Sequence, residues 1–253
     1  MIDAGHGPAI AFRDVTKRYG DAAVVDAVTL EIAAGSFVAL VGTSGSGKST
    51  LLKMINRLVA PDAGRVTVAG HDVAAGDAAV LRRSIGYVFQ NVGLFPHLSV
   101  GDNIAIRARL GAAMPDVAGL LEQVGLDPAM ATRPARALSG GQQQRVGVAR
   151  ALAGDARILL MDEPFGALDP VTRDQIGRTV RALHDRLRLT TIMVTHDMAE
   201  ALLLADRVLA MTAGRIVADG TPVEMLRAAD GPAAALVAVP RAQAARLQAL
   251  AAS

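Results

Sequence analysis

The sequence contains no cysteine, which excludes disulfides and thiolate metal sites. It has no run of about 20 apolar residues, the length a bilayer-spanning helix needs. The longest uncharged run near the start, residues 33–47, is broken by glycines and hydroxyls. The opening MIDAGHGPAIAFRD has no basic start followed by an apolar stretch, so no secretory signal is expected. Lysine is scarce: Lys17, Lys48 and Lys53 are the only ones among 26 basic residues, and the rest are arginines. Only 20% of residues are charged and the net charge is +2. That balance fits neither a nucleic-acid binder nor a disordered tail. The chain is expected in the cytosol, or docked to a membrane through a partner.

What is present is enough for a large core: 253 residues, 51% of them hydrophobic. This is the upper end of what one domain usually holds. Residues 9–19 and 28–35 read as strands, with partial alternation of apolar side chains. Residues 36–41 read as a buried strand, and GTSGSG after it as a loop. A helix is expected over Lys48–Leu58, where Leu51, Met54, Ile55 and Leu58 recur at helical spacing. Further strands are expected at Val66–Val68, Ile85–Phe89, Ile158–Met161 and Thr190–Thr195. From Pro96 to about Leu152 the pattern turns helical. Ser99-x-x-Asp102, Asp169-Pro170 and Thr221-Pro222-x-Glu224 carry the signals of helix starts. The alanine-rich stretch after about Asp230 is expected to be helical. Strands alternating with helices favour a mainly parallel sheet covered by helices on both faces.

Gly42, Thr43, Ser44, Gly45, Ser46, Gly47, Lys48 and Ser49, followed by Thr50, match the spacing G-x4-G-K-[ST] in full. The glycines let the backbone curl so that successive N–H groups face one anion, and the helix start adds partial positive charge. Lys48 is expected to bridge the β- and γ-phosphates of a nucleoside triphosphate, and Ser49 to ligate Mg²⁺. The strand at 158–161 runs into Asp162 and Glu163. Asp162 suits Mg²⁺ held through water, and Glu163 then lies where it can polarise an attacking water. Gln90 and His196 each close a strand at what would be the same sheet edge. Gln90 could contact Mg²⁺ or water, and His196 could donate to a γ-phosphate. Alone, each fits a structural role equally well.

Leu138-Ser139-Gly140-Gly141-Gln142 resembles the signature motif of ABC ATPases. The ordered set of motifs, P-loop, Gln90, LSGGQ, LLMDE, ALD and His196, resembles that family from about residue 8 to residue 228. The resemblance implies an α/β fold: a P-loop NTPase core, an N-terminal antiparallel β region and an inserted helical subdomain at about 92–152. The tail, 229–253, lies outside it. The family pairs two copies head to tail, so ATP lies between one P-loop and the partner's Ser139, Gly140, Gly141 and Gln142. Asp169 would reach across that dimer, and Tyr19 would stack on adenine. Tyr19 also fits an ordinary strand-end tyrosine. Gln90 and Val92–Val100 match a groove that receives a helix of the membrane subunit, although Leu94 and Phe95 also fit plain core positions. Where the wider family usually has Ser-Ala-Leu-Asp, this chain has Gly166-Ala167-Leu168-Asp169.

Residues 53–58, 81–105, 138–152, 161–176 and 194–207 are very similar to the ATPases of glycine betaine, choline and carnitine importers. That narrower resemblance implies ATP hydrolysis driving import of quaternary-amine osmoprotectants. The implied partners are a second, identical ATPase subunit, transmembrane permease subunits and, indirectly, an extracytoplasmic solute-binding protein. The implied place is the cytoplasmic face of a bacterial membrane, with no nucleic acid bound. Some relatives continue into paired CBS domains, and a sequence ending at Ser253 is expected to lack them. Two other readings stay open: import of another small solute such as a polar amino acid, and a soluble ABC ATPase outside transport.

Overall fold

A computed structural model describes residues 6–110, 113–154 and 156–251. The first strands, β1 (Ile10–Tyr19) and β2 (Ala22–Ile32), form an antiparallel hairpin. Next come β3 (Phe37–Val41) and α1 (Lys48–Ile55). The chain then returns as β4 (Ala63–Val68), antiparallel to β1, and the two-residue β5 (His71–Asp72). These complete a four-stranded antiparallel sheet, β2-β1-β4-β5. α2 (Ala78–Arg83) and β6 (Ile85–Val88) lead into the helical block. Its helices are α3 (Val100–Ile104), α4 (Val117–Gln123) and α5 (Gly140–Leu152), linked by 3-10 turns. The remainder is β7 (Ile158–Asp162), α6 (Pro170–Leu187), β8 (Thr190–Thr195), α7 (Met198–Leu204), β9 (Arg207–Thr212), β10 (Arg215–Gly220), α8 (Pro222–Arg227) and α9 (Gly231–Ala251).

The second sheet has the order β10-β9-β3-β8-β7-β6. β9, β3, β8, β7 and β6 run parallel, and β10 closes the edge antiparallel to β9. The inner strands β3, β7 and β8 are apolar at their central positions because both faces are covered. Side chains alternate between two cores. Ala39, Val41, Leu159, Met161, Met193 and Ala210 point into one core, against α3, α5 and α6. Val38, Leu40, Leu160, Ile192, Val194 and Leu209 point into the other. Burying each such aliphatic side chain is worth about 1.5–3 kcal/mol.

The second core is where the expected N-terminal antiparallel β region packs on the parallel sheet. It is roofed by α1 and by the antiparallel sheet through Ile10, Phe12, Val25 and Leu30, with Leu81 of α2 packed at its margin. α1 is shorter than its spacing suggests. Asn56 ends it and Arg57 takes a left-handed φ of 57°, so Leu58 turns outward, 46% exposed. Among the described residues no helix is long and apolar enough to cross a membrane.

At the amino edge of the parallel sheet, His184 of α6 is buried. Its Nδ1 lies 2.9 Å from Thr191 Oγ1, its ring 5.2 Å from Phe37, and its Nε2 4.0 Å from Asp206. Burial, followed by the nearby Arg181 cation, pushes its pKa below the ordinary histidine value, against the weaker pull of Asp206 and Asp185. The unfolded chain therefore takes up a proton at higher pH than the folded one. The stability this group contributes is present above about pH 6.5 and is lost as pH falls through the lowered folded value. Melting curves at pH 7.5 and 5.5 should show the native chain losing stability on acidification. His184→Gln, which can still accept from Thr191, should flatten that slope. An unchanged slope in the variant would assign the acid sensitivity to other groups.

Candidate functional site

All five parallel strands end at one edge, and the chemistry gathers there, as expected for an open parallel sheet. After β3 the chain curls through the P-loop into α1. Gly47, at φ 102°, is where this curl needs glycine: a Cβ there would sit 2.1 Å from the Val24 carbonyl oxygen of β2. A Cβ on Gly42 would lie equally close to the Met211 carbonyl of β9. The loop is thus wedged between the β2 and β9 backbones, with Thr43, Ser44 and Gly45 exposed and Ser46 buried. Lys48 is buried, and its Nζ donates to the Gly42 and Thr43 carbonyls, both at 2.8 Å. Desolvation lowers its pKa, opposed by the carboxylates of Glu163 and Asp162. Thr50 follows in the first turn of α1, partly buried.

Ser49 Oγ donates to Asp162 Oδ1 at 2.6 Å. The other carboxylate oxygen takes two contacts that sequence reasoning missed: the Tyr87 hydroxyl donates to it at 3.3 Å, and Lys53 Nζ stands 3.4 Å away. Burial, then the Asp162 charge, pushes the Tyr87 pKa up, so the phenol stays a donor. No local signal in the sequence marks this contact, because it depends on the pairing of β6 with β7, in which Tyr87 aligns with Leu160, two residues before Asp162. Among the described residues there is no group of three or more His, Asp or Glu side chains arranged for a metal. A hydroxyl and one carboxylate nevertheless suit Mg²⁺, which prefers oxygen and usually binds through one or two protein oxygens plus phosphates and waters. Ser49 and Asp162 would hold it, and when bound it would neutralise charge developing on the phosphate oxygens.

Glu163 leaves β7 at a left-handed φ of 46°, with its N–H donating to Val194 O at 2.9 Å. Such a conformation costs a non-glycine residue about 1–3 kcal/mol and concentrates at working sites. It sets the carboxylate between the two loops: Gln90 Nε2 donates to Glu163 Oε2 at 3.1 Å, and His196 Nδ1 lies 3.4 Å from the same oxygen. His196 is 62% exposed and Glu163 23%. A Cβ built on Gly166 would meet His196 Cε1 at an ordinary 3.9 Å, so the glycine leaves room there that a serine could fill.

A second cluster is separate. Ser139 caps α5 by accepting from the Gln142 N–H, while the Gln142 side chain accepts from the Ser139 N–H. This reciprocal cap fixes the first turn and leaves the Gly140 and Gly141 amides at a helix start. They line a pocket of about 420 Å³ with Asp169 and Thr172, to which no P-loop residue contributes. Asp169 caps α6, accepting from the Val171 and Thr172 N–H groups, and hydrogen bonding from Thr172 holds its pKa low. Tyr19 stands at the tip of the β1–β2 hairpin, 54% exposed, with Lys17 Nζ 5.5 Å from its ring centre. A third feature is an open groove of about 570 Å³ lined by Leu58, Tyr87, Phe89, Phe95, Ile106 and the arginines 82, 107 and 150. Phe95 lies on this groove, whereas Leu94 packs against the core.

A glycine-cradled lysine, a hydroxyl and two carboxylates at the carboxyl edge of a parallel sheet define a nucleoside-triphosphate-binding protein of the P-loop class. The family profile described as ABC transporter matches residues 25–166. The chain is 48% identical over 225 residues to the Glycine betaine uptake system ATP-binding protein YehX of Escherichia coli, covering 86% of this chain and 72% of that one. It is 45% identical over 225 residues to the Glycine betaine/carnitine/choline transport ATP-binding protein OpuCA of Bacillus subtilis, covering 86% of this chain but only 59% of that one. A Sulfate/thiosulfate import ATP-binding protein CysA of Mycolicibacterium paratuberculosis is 47% identical over 245 residues, 94% of this chain and 66% of that one. The dimeric ABC transporter cassette MJ0796 superposes with a TM-score of 0.76 at 33% identity, covering 84% of this chain and 98% of that one. The chain belongs to the ABC transporter family, as an ABC-type ATPase cassette.

Proposed function

We propose that this chain is the ATP-hydrolysing subunit of a bacterial importer for quaternary-amine osmoprotectants such as glycine betaine, choline or carnitine. One observation carries the ATPase half of this reading: the chain holds two half-sites, the P-loop cluster with Glu163 and the Ser139-capped start of α5, that do not meet within one copy. Head-to-tail pairing with a second copy would set the Gly140 and Gly141 amides against the γ-phosphate held by the partner's P-loop. Two helix starts then share one anion. Lys48 would contact the β- and γ-phosphates, Tyr19 the adenine, and Glu163 would take the proton from the attacking water. Gln90 orients Glu163, His196 donates toward the γ-phosphate, and Asp169 faces the partner's nucleotide. Ser49 and Asp162 would hold Mg²⁺, with Gln90 as a further oxygen ligand or a partner of its water.

The apolar groove, with Phe89 and Phe95 at its surface, would seat a helix of the permease, placing the chain peripherally at the inner face of the membrane. Solute choice then rests with the permease and an outer binding protein. The names of YehX and OpuCA favour quaternary amines, and that of CysA supports a second reading, an oxyanion importer. Reconstitution with the permease encoded nearest to it would decide. Hydrolysis should rise severalfold when binding protein loaded with glycine betaine or choline is added. Stimulation by sulfate-loaded protein alone would overturn the quaternary-amine reading.

A further inference from the structure

The loop carrying Asp169 and the loop carrying His196 are tied together by one side chain, Arg173, in the first turn of α6. A cation at that place is repelled by the positive end of its own helix. It is nevertheless drawn in, only 29% exposed. Three contacts hold it. Nη2 donates to the Leu168 carbonyl at 3.1 Å, Nη1 donates to Asp197 Oδ2 at 3.2 Å, and Nε stands 3.5 Å from Glu200 Oε1.

Two of the contacts reach a residue next to one of the nucleotide site, and the third reaches Glu200, which is bonded to the neighbour of such a residue. Leu168 precedes Asp169. Asp197 follows His196 and uses its other oxygen to cap α7, accepting from the Ala199 N–H at 2.8 Å. Glu200 is buried and accepts from Thr195 Oγ1 at 2.6 Å, while Thr195 Oγ1 accepts from the Asp197 N–H at 3.0 Å. Residues 195, 197 and 200 thus surround His196 in one network, and Arg173 is the cation in it. A guanidinium suits this task because its donors are fixed in one plane and diverge toward separate acceptors. An ammonium is a single point on a flexible stem.

Building on the reading of these residues as halves of an ATP site shared between copies, we propose that Arg173 is a positioning residue for hydrolysis. It locks the His196 loop to the Asp169 loop, so that Asp169 meeting the partner's nucleotide sets the His196–Glu163 contact. His196 sits 3.4 Å from the Glu163 carboxylate, and a displacement of about 1 Å is enough to impair such an arrangement.

The test compares Arg173→Lys with the native chain in steady-state ATP hydrolysis. Arg173→Lys should lower kcat by up to about 10²-fold, the loss that a misplacement of about 1 Å can cause, with KM for ATP and the melting temperature unchanged. A residue that only stabilised the fold would move the melting temperature instead. Combined with His196→Ala, Arg173→Lys should add no further loss of kcat, because it acts through that ring. Native kcat in Arg173→Lys, or losses that multiply fully in the double variant, would overturn the proposal. Should Arg173→Lys fail to fold, Asp197→Asn keeps the α7 cap but removes the charge facing Arg173. It should show the same fall in kcat, and native kcat there sinks the proposal. A native chain that hydrolyses no ATP refutes the functional reading itself, whereas native turnover with an unaffected Arg173→Lys removes only this inference.

Discussion

Glu163→Gln is expected to stop ATP turnover while leaving ATP binding intact, and to lock two copies together around the nucleotide. Glutamine has nearly the volume of glutamate, so the left-handed turn at position 163 and its N–H bond to Val194 face no new steric demand. An amide oxygen can still accept from Gln90 Nε2, which now reaches the carboxylate at 3.1 Å. What the variant cannot do is take a proton from water. A positioned general base contributes about 10²–10⁴-fold, so phosphate release should fall by at least two orders of magnitude. With the γ-phosphate uncleaved, the anion shared by the P-loop and the partner's Ser139-capped helix persists. Size-exclusion chromatography with Mg²⁺-ATP should then show a dimer that the native chain forms only transiently. Native turnover in Glu163→Gln would remove Glu163 from the chemistry. Loss of turnover with no ATP-dependent dimer would instead place the second half-site elsewhere than in a second copy.

The parts of this site that could be read from sequence are those whose meaning is local. A P-loop is a strand, a curl and a helix within a dozen residues, and its glycines are required by contacts, as at Gly47. Ser99, Asp169 and Thr221 announced helix starts because a cap acts over three residues, and all three cap as expected. What could not be read is set by partners far along the chain. Nothing near β3 says that it lies between β8 and β9. Nothing near Tyr87 or Lys53 says that both converge on Asp162, 75 residues from the tyrosine. The β9–β10 hairpin passed unnoticed for a different reason. Its turn is Ala213-Gly214, both at positive φ, and alanine lacks the signal that asparagine or aspartate gives there. The helical period also misled at Leu58, because it carried no information about where α1 stops. Arg173 reads as one more surface arginine until α6 and α7 are brought together.

Lys48→Met should separate two roles that a P-loop lysine combines. The ammonium is buried, and desolvation holds its pKa below the usual lysine value, so the folded chain carries a charge that would be better solvated in water. The Glu163 and Asp162 carboxylates and the bonds to the Gly42 and Thr43 carbonyls only partly offset that. Methionine matches the aliphatic stem, and both carbonyls lie in a loop whose neighbours Thr43, Ser44 and Gly45 are exposed, where water can replace the lost donors. The melting temperature without nucleotide should therefore stay level or rise. Nucleotide binding should behave oppositely. A charge-assisted hydrogen bond is worth about 1.5–3 kcal/mol, and Lys48 is placed to give two to the phosphate chain. Each 1.4 kcal/mol is a factor of ten, so the dissociation constant for Mg²⁺-ATP should rise about a hundredfold or more. Calorimetric titration and thermal melts on the same preparation measure both quantities. ATP affinity at the native level would mean that the phosphates bind away from this loop. A large fall in melting temperature, with affinity lost, would mean that the lysine acts by holding the loop's shape rather than by meeting the phosphates.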